Sequence, residues 1–212
     1  MKYTSYHLSD ILAMDKIPRL NLINSISGYK SANLIGTIDA DGRSNLAIFS
    51  SVVHLGSNPA MLAFIMRPTT VARHSYDNIQ SSRQYTINHV SLDMTAEAHY
   101  TSAKFEIEQS EFEACGFTEE YHQDFRVPYV QGSPVQIGMK LEEVVSIKAN
   151  GTIMVIGSVQ QLHIDSSIID DDHALNLESG SVAALSGLNT YYKAAKIAKY
   201  SYARVGQFPK PV

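Results

Sequence analysis

Residues 44–88 read SNLAIFSSVVHLGSNPAMLAFIMRPTTVARHSYDNIQSSRQYTIN, and this stretch decides the fold. It contains two apolar, strand-like runs at residues 47–53 and 61–66. The sequence Gly-Ser-Asn-Pro at residues 56–59, which favours a turn, lies between them. A segment rich in hydroxyl-bearing and basic side chains follows. We therefore predict two paired strands and then a short helix over residues 75–82.

The start of that helix suits a phosphate-bearing ligand. Helix N-termini carry unpaired N–H groups and a positive partial charge. Arg73 and Ser75 lie at this start, so a guanidinium and a hydroxyl group would stand beside the N–H groups. The sequence thus predicts an anion site close to residues 73–75.

Strand and hairpin signals continue on both sides of this stretch. Asp41-Gly42 and Asn150-Gly151 are the residue pairs that tight hairpin turns prefer. Apolar or β-branched segments bounded by turn signals predict the remaining strands: a first strand within residues 26–38, marked by Leu34, Ile35 and Ile38, and strands at residues 84–90, 135–147 and 152–164. Several antiparallel strands joined by hairpins indicate a closed or nearly closed barrel.

The other segments predict helices, loops and a covering tail. They are a short helix or arm at residues 4–15, two helices within residues 93–116, a loop at residues 127–133, an acidic turn at residues 165–172, and a surface-covering tail from residue 182 with one helical stretch. Together these elements predict a β-barrel with α decoration. We expect residues 1–212 to form a single domain with a short N-terminal arm and a C-terminal tail.

Composition narrows the class of protein. The 212 residues are 44% apolar, which is enough for a full hydrophobic core. The formal charge of −4 argues against nucleic acid as a partner, and the sequence shows no run of membrane-spanning length. With a single cysteine, Cys115, an internal disulfide is excluded. We expect a soluble, cytoplasmic protein.

Metal chemistry is not expected. The eight histidines show no HxH or HExxH spacing, and multi-cysteine zinc or iron–sulfur sites are excluded because Cys115 stands alone. No basic residue near Cys115 would activate its thiol, so we interpret it as structural.

Several segments, taken in their order and spacing, resemble the flavin reductase-like, FMN-binding split-barrel family. The segments that carry the resemblance are NLIGTIDADGRSNLAIFSS at residues 33–51, SNP before MLAFIMRP at residues 57–68, RHSYDNI with INHV at residues 73–90, IGSVQQLHID at residues 156–165, and LSGLNTYY with SYARVG at residues 185–206. Each is short, and their combination extends the resemblance over residues 30–205. It implies an antiparallel split barrel of the FMN-binding type.

The resemblance also implies a binding site. Residues 45–51 would lie along the isoalloxazine ring, with main-chain groups near Ala47 and Ile48 and the hydroxyls of Ser50 and Ser51 at its polar edge. The family's phosphate segment reads about Lys-Asp-Thr before Asn-Ile, and Arg73-His74-Ser75 before Asn78-Ile79 matches it here, with a histidine replacing the acid. The implied cofactor-binding residues are Asn45, Ala47, Ile48, Phe49, Ser50, Ser51, Arg67, Thr70, Arg73, His74, Ser75 and Asn78.

Two residues of this site remain open on the sequence alone. Arg67 is equally consistent with a phosphate contact and with a solvated surface cation. His54 lies just beyond the ring-contacting run and is the histidine best placed for a role near the ring. No catalytic side chain is expected otherwise, because the flavin carries the chemistry.

For the function, the resemblance implies an FMN-dependent oxidoreductase that uses NADH or NADPH to reduce flavin, acting as a homodimer. One alternative is a flavin-bearing electron carrier with little nicotinamide activity. Another is a barrel that binds a small ligand without redox turnover. The sequence contains no glycine-rich dinucleotide fingerprint, so the preferred reductant is not readable from it.

Overall fold

The structure is a computed structural model and describes residues 1–71 and 73–212. Over these residues the helices are α1 (Leu8–Ala13), α2 (Lys16–Ser25), α3 (His74–Ser82), α4 (Thr95–Tyr100) and α5 (Glu111–Ala114). The strands are β1 (Lys30–Ser31), β2 (Asn33–Ile38), β3 (Ser44–Phe49), β4 (Val53–Ser57), β5 (Ala60–Met66), β6 (Gln84–His89), β7 (Glu119–Glu120), β8 (Tyr129–Val130), β9 (Val135–Ile147), β10 (Thr152–Ile164), β11 (Ala183–Ser186) and β12 (Thr190–Lys193).

The main sheet has seven strands in the order β3-β2-β6-β9-β10-β5-β4, and each strand is antiparallel to its neighbour. Strands β3 and β4 follow each other in the chain but form the two opposite edges of this sheet. The fold is therefore an antiparallel split barrel with helical decoration, as predicted. The split separates β3 from β4, and residues 50–52 cross it.

The predicted central hairpin is confirmed. Strands β9 and β10 cover residues 135–147 and 152–164, the predicted bounds. Gly151 in the connecting turn has a φ of 74°, a left-handed conformation that glycine adopts without a Cβ penalty. The Val- and Ile-rich patterns and the turn residues agree here, which explains why the sequence located both strands.

One predicted strand was wrong. Residues 47–53 are not a single strand, because β3 ends at Phe49 and β4 begins at Val53. The two halves pair with different neighbours, β3 with β2 and β4 with β5. An apolar run gives no information about its pairing partners, so the pattern predicted one strand where the structure has two edge strands. Gly56 and Ser57, predicted as turn residues, belong to β4.

Neighbouring residues of β2 belong to two different hydrophobic clusters, one on each face of the strand. Ile35 lies in the barrel interior with Phe64 and Tyr85, whose rings meet edge to face at 5.7 Å between centroids. Leu34 points to the opposite face, toward a second cluster that contains Leu46. Because successive side chains of a strand alternate between faces, both faces of β2 are buried. The second cluster also contains Phe112 and thereby attaches α5 to the barrel.

The terminal segments differ from their predictions. Helix α1 lies within the predicted arm, but α2 was missed; its Pro18 falls in the first turn, where a missing N–H is tolerated. The tail forms strands β11 and β12 rather than the predicted helical stretch. Over the residues that the structure describes, no helix is long and apolar enough to cross a membrane.

Candidate functional site

The segment that crosses the split is fastened to β5 by one hydroxyl group. Ser51 Oγ donates a hydrogen bond to the carbonyl oxygen of Ile65 at 3.0 Å and accepts one from its N–H at 3.1 Å. In the β4–β5 register, Val53 faces Ala63, so Ser51 stands opposite Ile65. The Ser51 side chain thus takes the place of a main-chain partner for Ile65, two residues before β4 begins. Ser51 therefore attaches the segment that crosses the split to β5.

The free edge of β3 lies on the other side of the split. Leu46 donates its N–H to Oε2 of Glu111 at 3.0 Å, so this amide points away from β2. Antiparallel pairing alternates between inward- and outward-facing amides, and Ile48 is two residues further along the strand. Its N–H and C=O therefore face the same free edge, and within the described part of the chain no hydrogen bond to them is found. A ligand with a polar rim can pair with them.

The predicted residues Asn45, Ser75 and Asn78 come together with Thr37. Asn45 Nδ2 donates to Ser75 Oγ at 2.9 Å, and Asn78 Nδ2 donates to Thr37 Oγ1 at 3.1 Å. Thr37 and Asn45 face each other on β2 and β3, and all four residues are buried. These bonds fix α3 across the strand pair. The hydroxyl of Ser75 is occupied as an acceptor, and its own proton remains available for donation.

Helix α3 begins at His74 behind Arg73, whose Nε lies 3.4 Å from the carbonyl oxygen of Pro68. A small cavity of about 60 Å³ adjoins His74 and Asn45. Asp39 and Asp77 line it together with Arg43, whose Nε lies 2.7 Å from Oδ2 of Asp39, so its wall carries charges of both signs. Arg73 is not among the residues that line this cavity.

The loop between β5 and α3 carries the remaining predicted cations and hydroxyls. Arg67, Thr69 and Thr70 are exposed, whereas Arg73 is partly buried. Residue 72 of the same loop lies outside the described residues. Arg67, Thr70 and Arg73 all lie in the segment that connects β5 to the start of α3. His54 is exposed on β4, opposite Leu62 of β5, on the far side of the split from Ile48.

Glu111 is a site residue that the sequence did not reveal. Its side chain is buried, with 8% of the residue exposed. Burial raises the pKa of this carboxyl, while the N–H of Leu46 and the nearby His74 lower it. The sequence places Glu111 merely within a helical segment, 65 residues from Leu46, and contains no signal that connects the two.

Cys115 lies just after α5 and is buried, as its structural interpretation requires. Burial, together with the neighbouring Glu111 carboxyl, raises the pKa of its thiol to about 11. A thiol with such a pKa is almost entirely protonated near neutral pH and is a weak nucleophile.

A larger cavity of about 680 Å³ lies elsewhere, at the start of β9 and the end of β10. Gln136 organises its wall by donating to Oε2 of Glu120 at 2.7 Å and to the carbonyl of Val130 at 2.8 Å, and by accepting from Nε2 of His122 at 3.0 Å. The His122 ring stacks on His163 at 3.6 Å between centroids. None of the implied cofactor-binding residues lines this cavity, and over the described residues no group of three or more His, Cys, Asp or Glu could hold a metal ion.

An antiparallel barrel that is open at one seam, with a free strand edge and a helix start beside the seam, defines the split-barrel class of proteins. The sequence model of the flavin reductase like domain family matches residues 27–185. The chain therefore belongs to the flavin reductase-like family, a family of flavin-related oxidoreductases.

Solved structures agree with this assignment. The chain is similar to a candidate flavin reductase with a split barrel domain from Shewanella frigidimarina NCIMB 400, with 41% identity, a TM-score of 0.92 and coverage of 95% of this chain and 100% of that chain. Component B of nitrilotriacetate monooxygenase from Bacillus cereus is 14% identical, with a TM-score of 0.82 and coverage of 94% and 99%. Flavoredoxin from Desulfovibrio vulgaris (Miyazaki F) is 21% identical, with a TM-score of 0.73 and coverage of 83% and 92%. The last two show likeness of fold alone.

Proposed function

We propose that this protein is an FMN-dependent oxidoreductase that reduces flavin with NADH or NADPH. The observation that carries the proposal is the unpaired main-chain edge at Ile48, beside the split and on the same strand as Asn45. A buried flavin ring needs partners for its N–H and carbonyl groups, and a free strand edge offers one donor and one acceptor in a fixed geometry.

The residues that follow Ile48 extend this polar edge. The hydroxyl of Ser50 is partly buried, and among the described residues it has no hydrogen-bond partner. Phe49 turns inward and packs against Phe64 with 5.0 Å between ring centroids. The main-chain edge at Ile48 and the hydroxyl of Ser50 would therefore meet the ring while Phe49 anchors the strand, and Ser51 holds the crossing segment to β5.

The phosphate group would be held at the start of α3. Arg73 supplies a cation there, and the first N–H groups of the helix supply donors with a positive partial charge. Arg67 and Thr70 lie on the same exposed loop and complete the anion site. His74 replaces the acid of the family pattern and so adds no repulsion toward phosphate.

FMN held by the main chain at Ile48, the hydroxyl of Ser50 and the Arg73 guanidinium would supply the hydride-accepting chemistry for a reduced nicotinamide. The chain itself would bind and orient the flavin ring. His54 lies across the split from Ile48 and would border the face of the ring that stays exposed. We also propose that the protein is cytoplasmic.

A homodimer is part of the proposal. Helices α1 and α2, described in full, contain no buried residue, and they expose Leu8, Leu12, Ile17 and Ile23. The C-terminal tail exposes Ile197, Tyr202, Val205 and Phe208. Exposed apolar side chains in such number are consistent with a protein contact surface and support the proposal that they are buried against a second copy.

The experiment is an absorbance spectrum of the purified protein, recorded with FMN before and after anaerobic addition of NADH or NADPH. We expect a visible flavin band that bleaches on addition, and a raised melting temperature with FMN. A bound flavin that keeps its band would favour the electron carrier. A protein that retains no flavin and gains no thermal stability from FMN would leave only the non-redox binding barrel.

A further inference from the structure

Strand β3 is an edge strand, and this poses a physical problem at Leu46. Every second amide of an edge strand points away from the sheet and lacks a main-chain partner. Leu46 is completely buried, so water cannot satisfy its N–H. Leaving a buried donor unpaired is costly, and Oε2 of Glu111 accepts this hydrogen bond at 3.0 Å. A side chain thus performs the task of a missing strand.

The segment around Glu111 fastens β3 at a second point. Ser44 Oγ lies 2.7 Å from Oγ of Ser110, and it also donates to Glu119. Ser44 and Leu46 both occupy the outward-facing register of β3, two residues apart. Ile48 is the next position in that register. The last of these contacts, at Leu46, therefore lies one outward-facing position before Ile48, whose main chain the proposed flavin would use.

The choice of a carboxylate for this task is unusual. A buried carboxyl group pays a desolvation penalty, which is reflected in the raised pKa of Glu111. Phe112, its neighbour on α5, is buried in the same cluster as Leu46, so apolar packing alone could hold the helix there. Glu111 adds a directional contact to that packing, because its hydrogen bond fixes the orientation of the Leu46 amide.

We propose that Glu111 is a positioning residue that holds the outward edge of β3 so that the main chain at Ile48 is set for the flavin ring. This inference rests on the proposed function. It predicts that the hydrogen-bond acceptor at residue 111 matters, rather than its charge.

Four variants test the proposal, with FMN affinity measured by quenching of FMN fluorescence and the visible spectrum of the bound flavin recorded for each. Glu111→Ala removes the acceptor and is expected to weaken FMN binding about tenfold or more, with the flavin band shifted toward that of free FMN. Glu111→Gln keeps an acceptor oxygen and should remain within about twofold of the wild type. Glu113→Ala, an exposed glutamate on the same helix, is the matched control and should also be unchanged. Glu111→Asp keeps the charge but has a shorter reach, so it should be weakened, and it replaces Glu111→Ala if that variant does not fold.

Hydrogen exchange of the Leu46 amide, which Glu111 accepts from, gives an independent readout in the flavin-free protein. We expect faster exchange in Glu111→Ala and wild-type rates in Glu111→Gln. The inference is overturned if a folded Glu111→Ala binds FMN as the wild type does, or if Glu111→Gln is impaired as much as Glu111→Ala. A wild type that does not bind FMN overturns the proposed function; unchanged exchange at Leu46 in Glu111→Ala overturns the Glu111 inference separately.

Discussion

Ser51 and Ile65 are joined by two hydrogen bonds through a single hydroxyl group, at 3.0 Å to the carbonyl oxygen and 3.1 Å from the N–H. The pair extends the pairing of β5 at the place where the chain has crossed the split and is about to enter β4. Ser50, the neighbouring residue, makes no comparable bond within the described part of the chain. Two adjacent serines therefore have different tasks, one structural and one available to a ligand.

We predict that Ser51→Ala destabilises the protein by about 1–3 kcal/mol, because both main-chain groups of Ile65 lose their partner. Ser50→Ala should change stability by less than about 0.5 kcal/mol but weaken FMN binding. Urea denaturation and FMN fluorescence quenching measure the two effects. The assignment of tasks is wrong if the two variants exchange these results.

Arg73→Ala should weaken FMN binding by about 10- to 100-fold, the value of a charge-assisted contact to phosphate. Riboflavin lacks the phosphate, so its affinity should be the same in the variant and the wild type. Arg126→Ala removes an exposed arginine that is not part of the proposed site and serves as the control. Equal losses for FMN and riboflavin would show that Arg73 does not act on the phosphate.

Gly157→Ala should destabilise the barrel by about 1–3 kcal/mol through overpacking. A Cβ at this position would lie 2.3 Å from Oη of Tyr85 and 2.9 Å from the carbonyl oxygen of Lys140. Gly56→Ala is the control, since its Cβ would meet its nearest neighbour, Pro59, at 3.4 Å.

The double variant Gly157→Ala/Tyr85→Phe identifies the source of that cost. The Tyr85 hydroxyl is buried and has no hydrogen-bond partner among the described residues, so its removal should be cheap and should recover part of the lost stability. No recovery in chemical denaturation would place the clash at the Lys140 carbonyl oxygen or at the ring of residue 85, whose Cζ would lie 3.1 Å from the new Cβ.

Because His89 is buried, we expect the free energy of unfolding to decrease at acidic pH. Burial lowers the pKa of its imidazole from 6.5 to about 4, so the unfolded chain binds a proton more readily than the folded one between these values. Stability should therefore fall as the pH drops through this window, by about 2–3 kcal/mol at pH near 4.5 from this group. Glu111, with a raised pKa, contributes with the opposite sign and is common to all variants compared.

The measurement compares the free energy of unfolding at neutral pH and near pH 4.5. His89→Gln should lose less stability on acidification than the wild type does. His173→Gln, at an exposed histidine, should retain the wild-type dependence. If His89→Gln and the wild type lose the same amount, His89 does not titrate as described.

Much of the fold could be predicted because local patterns and tertiary structure agree. The alternating Val and Ile residues and the glycine turn located β9 and β10, and Ser75 marked the start of α3 to within one residue. The proposed site residues on β3 and α3 were grouped by resemblance, and the structure brings Asn45 and Ser75 into direct contact.

The sequence alone determined the strand-rich architecture, the hairpins and the position of the hydroxyl-rich helix start, since these depend on side-chain periodicity and on turn residues that are local in the chain. Only the tertiary structure decided that residues 47–53 divide into two edges, that Ser51 replaces a strand partner while Ser50 stays free, and that Glu111 satisfies an amide 65 residues away. The physical reason is that a strand's pattern records which face is buried, whereas the partner of each main-chain amide is set by which segments meet in space.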